Sequence, residues 1–211
     1  MGFSNFKLAD VVEKFDLKVN RESYLFAEIP EVAKSENLDF FLKNYLPLAI
    51  DINTEKARSE MIIAPILLEL TQKTQPKISL FSGKDLTVDP SQDLNGECDF
   101  IISLSPEQLF ITAPIITLVE AKKEDIIGGL GQCAAQMLGA QIFNQQKENQ
   151  ISSVYGAVTT GTVWRFLRLS DRLLNIDNKE YYISEICKII GILHWIISSE
   201  IEKSDRPSNS D

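Results

Sequence analysis

The stretch PIITLVEAKKE, residues 114–124, decides how the chain is read. Ile115, Ile116, Leu118 and Val119 form an apolar approach that runs straight into Glu120, the small Ala121 and Lys122. Such a run predicts a buried strand, and charges at its end cost free energy unless a partner or a metal ion meets them. In extended backbone alternate residues share a face, so Leu118, Glu120 and Lys122 project one way and Val119 and Ala121 the other. The acid and the lysine leave the end of one strand together.

Upstream, CDFIISLS (98–105) reads as the preceding strand, with Asp99 at its start and a return through Ser105, Pro106 and Glu107. If the two strands pair, Asp99 comes close to Glu120. Carboxylates that close repel each other unless a cation sits between them. Hard oxygen ligands with open water positions suit Mg²⁺ or Mn²⁺. Glu97 reads as a solvated neighbour of this pair.

Before these strands lies TEKARSEMIIAPILLELTQKT (54–74), a helix with Thr54 as its cap, a broad apolar face through Met61, Ile62, Leu67 and Leu68, and a kink at Pro65. KISLFSGKDLTVDP (77–90) has the period of a first strand. After the triplet, DIIGGLGQCAAQMLGAQIFNQQ (125–146) has helical spacing, and its glycines allow close approach to a sheet. SVYGAVTT, TVWRFLRLS and RLLNID follow as strands, with turns at 161–162 and 170–171, and the helix SEICKIIGILHWIISSEIEK begins at Ser184. The order helix, three strands, helix, strands, helix predicts an α/β domain with a mixed central sheet flanked by helices. Residues 1–53 read as an N-terminal helical extension packed on a core of 54–202, and 203–211 as a disordered polar tail.

On these residues the chain resembles the PD-(D/E)XK nuclease superfamily, the restriction-endonuclease-like fold, and within it the nuclease domains of type I restriction subunits. The likeness rests on an acid opening one strand, Glu120-Ala121-Lys122 ending the next, and the surrounding αβββαβ order, over roughly two thirds of the chain. It implies a three-layer core and hydrolysis of phosphodiester bonds in DNA. It implies Asp99 and Glu120 as side-chain ligands of Mg²⁺ or Mn²⁺ and the Ala121 carbonyl as a further one. Lys122 would orient or help deprotonate the attacking water and stabilise the pentavalent phosphate. Glu60 matches an additional helical acid that helps hold a metal. Gln132 and Gln136, four apart on one helix face, match a glutamine motif that follows the lysine in some branches. Cys98 stands where the motif's name has proline, a position without a chemical role.

Composition sets limits on this reading. The net charge of −9 over 211 residues opposes a large phosphate-binding surface, although a local basic cleft is compatible with an acidic protein. It favours the alternative of a noncatalytic nucleic-acid-binding or regulatory module on the same fold. Candidate phosphate contacts are Lys56, Arg58, Lys84, Lys123, Arg165 and Arg168. Trp164 and Phe166 read as core, and His194 as a packed or surface residue. Three separated cysteines without a CxxC pair argue against a disulfide framework or zinc site. No signal-like N-terminus and no segment of membrane-spanning length is read, so the expectation is a cytoplasmic protein, a possible homodimer, with no membrane partner.

Overall fold

A computed structural model describes residues 2–21, 24–74, 77–149 and 151–204. It is an α/β architecture with one open, mixed sheet between two layers of helices. Along the chain come α1 (Leu8–Lys14), β1 (Lys18–Asn20), α2 (Glu36–Ile52), α3 (Glu55–Arg58), α4 (Ala64–Thr74), β2 (Ser79–Asp89), β3 (Leu94–Ser103) and β4 (Ile115–Ala121). Then follow α5 (Ile126–Gln146), β5 (Val154–Thr159), β6 (Val163–Ser170), β7 (Leu173–Ile176), β8 (Tyr181–Tyr182) and α6 (Ile186–Ser204). The sheet order is β1-β7-β6-β5-β4-β3-β2, with β8 also paired to β6. Among the described residues only β4–β5 and β1–β7 pair in parallel.

The apolar run that opened the problem is the central strand β4, buried along its whole length because helices cover both faces. Leu118 packs on the face covered by α1 and α5, and Val119 and Ala121 on the face covered by α2, α4 and α6, so the alternation expected of this strand is present. Asn144 fixes the start of β4 from α5: its amide oxygen accepts from the Ile115 N–H and its nitrogen donates to the Ile115 carbonyl, both at 2.8 Å. Residue 144 thus substitutes for a strand neighbour where the β3–β4 ladder is irregular.

Small residues bring α5 close. A Cβ at Gly131 would run into the backbone of Phe6 and Lys7, and one at Gly156 into the sulfur atoms of Cys133 and Met137. At 21 residues α5 is long and apolar enough to cross a membrane by length and composition, which corrects the expectation that no segment reaches that length. Its most apolar window is 72% buried inside the fold, between the sheet and α1.

Thr54 caps α3 as expected, its hydroxyl accepting from the Ala57 N–H. The irregularity expected at Pro65 takes the form of a π-helical turn over Ser59–Ile63 just ahead of it. Proline supplies no N–H and crowds the carbonyl four residues back, and a wide turn relieves both problems while the helix continues.

The first 53 residues contain more than helices. β1 adds to the sheet edge in parallel with β7, while α1 packs on α5 and α2 against α4. α6 reaches Ser204, past the boundary drawn at 203; the tail expected beyond it lies outside the described residues. Trp164 and Phe166 are fully buried, in keeping with a core role.

Candidate active site

The β3–β4 ladder ends at the pair Phe100–Val119. β3 continues back along β2 to Leu94, and β4 continues along β5 to the pair Ala121–Thr159. The sheet therefore forks between β3 and β4, and Asp99 and Glu120 occupy the fork. Asp99 lies in mid-strand, not at the strand's start as its sequence position suggested, because LNGE (94–97) extends the hairpin with β2 instead of forming a turn.

At the fork a side chain replaces the missing ladder bond: Asp99 Oδ2 accepts from the Ala121 N–H at 2.8 Å. Glu120, 1% exposed, accepts on Oε1 from Lys122 Nζ at 2.6 Å and on Oε2 from Gln136 Nε2 at 2.8 Å. Lys122 Nζ also donates to Gln132 Oε1 at 3.1 Å, and its backbone N–H donates to the Thr159 carbonyl at 2.8 Å. Five of the residues singled out in the sequence, Asp99, Glu120, Lys122, Gln132 and Gln136, thus form one hydrogen-bonded group with the backbone of Ala121.

The electrostatics follow from two acids sharing a poorly hydrated place. Burial, and then the charge of Asp99, push the Glu120 carboxyl up to about 7, against the opposing pull of Lys122 and Gln136. Burial likewise raises Asp99, partly offset by the Ala121 amide and Lys122. For Lys122 burial works to lower the pKa, but Glu120, Glu55 and Asp99 outweigh it and the net shift is upward.

Glu55 is the residue that sequence reasoning missed. It follows the Thr54 cap directly, repels Asp99 and attracts Lys122. Glu60 is 61% exposed in its side chain, pairs with Lys56 at 3.6 Å, and lines a groove with Phe41, Pro65 and Leu68 on the outer side of α2 and α4. The structure records no interaction of Glu60 with Asp99, Glu120 or Lys122. Glu60 lies inside the π turn Ser59–Ile63, and its contacts, not the helix spacing, set its direction apart from that of Glu55.

Comparison with known protein families, curated proteins and solved structures finds no match to this chain. The site has to be argued from its own geometry. Among the described residues no cluster of three or more His, Cys, Asp or Glu side chains converges. The fork offers two carboxylates, and the Ala121 carbonyl leaves the same strand edge as the N–H bonded to Asp99. That donor set is too small for a dehydrated cage of side chains. It suits Mg²⁺, which binds through one or two carboxylates and keeps several waters. The raised pKa of both acids has a related cause, burial of two carboxyl groups side by side, which a bound cation would oppose.

The other candidate phosphate contacts scatter. Lys84 is exposed and pairs in register with Cys98, beside Asp99. Lys123 pairs with Glu124 at 3.5 Å. Arg165 donates to the Asp177 carbonyl, and Glu97 is exposed. Cys98 and Cys133 are buried free thiols whose pKa burial raises, so neither is a nucleophile.

Proposed function

We propose that the chain is a metal-dependent endonuclease of the PD-(D/E)XK type, hydrolysing phosphodiester bonds in DNA on a restriction-endonuclease-like core. The observation that carries this reading is the meeting of Asp99 and Glu120 at the strand fork, with Lys122 ion-paired to Glu120 at 2.6 Å. The run α4, β2, β3, β4, α5, β5, with β5 parallel to β4, supports the finer fold.

In this reading Asp99, Glu120 and the Ala121 carbonyl would hold Mg²⁺ or Mn²⁺, which would supply Lewis acidity and lower the pKa of a bound water. The chain's own groups do the rest. Water oxygen forms a bond to phosphorus and gives up a proton to solvent, the bond from phosphorus to the leaving oxygen breaks, and that oxygen takes up a proton from solvent. Lys122 places positive charge beside the developing dianion. Gln132 holds the ammonium in place, and Gln136 fixes Glu120 by bonding the oxygen that Lys122 does not use. Both glutamines come from α5, whose burial makes them rigid supports.

The test is incubation of supercoiled plasmid with the protein and Mg²⁺ or Mn²⁺, beside Asp99→Ala and Lys122→Ala controls. Metal-dependent nicking that both substitutions abolish is the expected result. Equal nicking by wild type and variants, or none with either metal, sinks the reading. The net charge of −9 favours a second one, a noncatalytic binding or regulatory module on the same fold. Calorimetry separates the two, since the module has no need of metal binding that depends on Asp99 and Glu120.

A further inference from the structure

Arg58 ends α3, three residues after Glu55 and so on the same side of that helix. Its guanidinium is half-buried and held in place. Nε and Nη2 both donate to Asn53 Oδ1, at 3.2 and 3.1 Å, while Nη1 donates to the Thr160 carbonyl at 2.9 Å and to Thr162 Oγ1 at 3.3 Å. Thr160 follows Thr159, whose carbonyl receives the Lys122 N–H. Arg58 therefore stands at the turn that closes the active end of β5.

Every one of its acceptors is neutral. Among the described residues no carboxylate forms an ion pair with Arg58; the same holds for Lys84, Arg165 and Arg168, but Arg58 alone of these is held at the turn beside the strand end that receives Lys122. Four of the five guanidinium N–H groups are used, which fixes the plane of the fork, and one hydrogen on Nη2 remains to donate. An oriented cation with its charge uncompensated and a donor to spare suits a phosphate.

We propose that Arg58 is a substrate-positioning residue that holds a backbone phosphate of the DNA strand next to the one being cleaved. The proposal rests on the nuclease reading and extends it by naming where the substrate strand runs: across the α3 end and the Thr160–Thr162 turn.

Binding of a fluorescent duplex oligonucleotide by the full chain in EDTA, measured against salt concentration for wild type, Arg58→Met and Arg58→Lys, tests it. Thermal unfolding of each protein and KM and kcat under Mg²⁺ are measured beside it. A lost phosphate contact lowers the slope of log K against log salt by about 0.9, so the affinity ratio of wild type to Arg58→Met shrinks about three-fold between about 50 and about 200 mM salt. Arg58→Lys keeps the charge and is expected to keep the slope while losing thermal stability along with its neutral bonds. In cleavage, Arg58→Met raises KM more than it lowers kcat. If both variants unfold earlier and neither moves the salt slope, Arg58 is a strut and the proposal is overturned while the nuclease reading stands. If wild type neither binds nor cleaves, both fail together.

Discussion

Asp99 of β3 accepts the backbone N–H of Ala121 on β4 at 2.8 Å, so a carboxylate stands where a strand carbonyl belongs. The same substitution of side chain for ladder opens the sheet and creates the acidic pair. Opening costs the hydrogen bonds that regular pairing would supply, and burying two acids adds to that cost. The fork is therefore a place where stability is given up.

Asp99→Asn is expected to separate the two. The amide oxygen still accepts from Ala121, while the repulsion between neighbouring carboxylates disappears. In EDTA at neutral pH the variant should be more stable than wild type, because the buried Asp99 carboxyl is costly to ionise beside Glu120. Added Mg²⁺ should raise the melting temperature of wild type, because a ligand that binds only the folded state stabilises it. The variant should lose that rise together with nicking activity. Thermal unfolding of both proteins with and without Mg²⁺ gives the answer, and an Asp99→Asn protein less stable in EDTA would contradict the account of the fork.

Glu55→Gln and Glu60→Gln form the second comparison. Glu55 acts electrostatically on Asp99 and Lys122, whereas Glu60 faces outward beside Lys56. Losing a group that supports metal ligands costs about 10- to 100-fold in metal affinity or activity. The Mg²⁺ concentration for half-maximal nicking should rise on that scale for Glu55→Gln and stay within about two-fold of wild type for Glu60→Gln. Similar effects from the two substitutions would refute the distinction drawn between the two acids.

Which parts of this were legible in the sequence depends on how local their causes are. β4, β5 and β6 announce themselves through apolar runs and turn residues, and the Thr54 cap through its hydroxyl and the acids after it. The alternation of Leu118, Glu120 and Lys122 against Val119 and Ala121 needs only the two-residue period of a strand. The choice between Glu55 and Glu60 does not follow from spacing. It depends on how α2 and α4 set the helix axis and on the π turn ahead of Pro65. β1 has three residues and no period of its own; it is a strand because β7, far along the chain, offers a free edge. Asp99 misleads for a related reason, since Asn95 and Gly96 look like a turn and in fact sit inside a long hairpin with β2.

Acid should weaken one well-defined attachment. Burial pushes the Glu69 carboxyl up, but the Ser35 hydroxyl and amide, at 2.7 and 2.8 Å, and Lys73 outweigh it, and the net pKa is below the ordinary value. A carboxylate with a depressed folded pKa contributes stability above its unfolded pKa of about 4.3 and loses it as pH falls through the folded value. Ser35 also caps α2 by accepting from the Leu38 N–H, so this attachment ties α2 to α4. Glu69→Gln should cost about 1–3 kcal/mol at pH 6, and the difference from wild type should shrink below about pH 4. Denaturant unfolding across that range measures it; a difference that grows on acidification would reverse the sign and refute the argument.

The tightest constraint on Lys122 comes from a residue with no side chain. A Cβ at Gly129 would stand 2.6 Å from Val158 Cγ1 and 3.1 and 3.3 Å from Lys122 Cγ and Cε. Val158 is fully buried in β5 and cannot retreat, so α5 has to shift away from the sheet, and the lysine stem packed against the new methyl group moves too. Its ammonium then leaves Glu120 Oε1 and Gln132 Oε1, the two contacts that hold it at the fork. Gly129→Ala gains about 1 kcal/mol of helix propensity in α5 but meets an overpacking cost of about 1–3 kcal/mol. Net stability should therefore change little or fall modestly. Activity should fall much further, because a misplacement of about 1 Å in a positioned group costs on the order of 100-fold. The pairing of a small change in denaturant midpoint with a large loss of nicking is the expected signature. Retention of full activity would mean that Lys122 is not held where catalysis requires it.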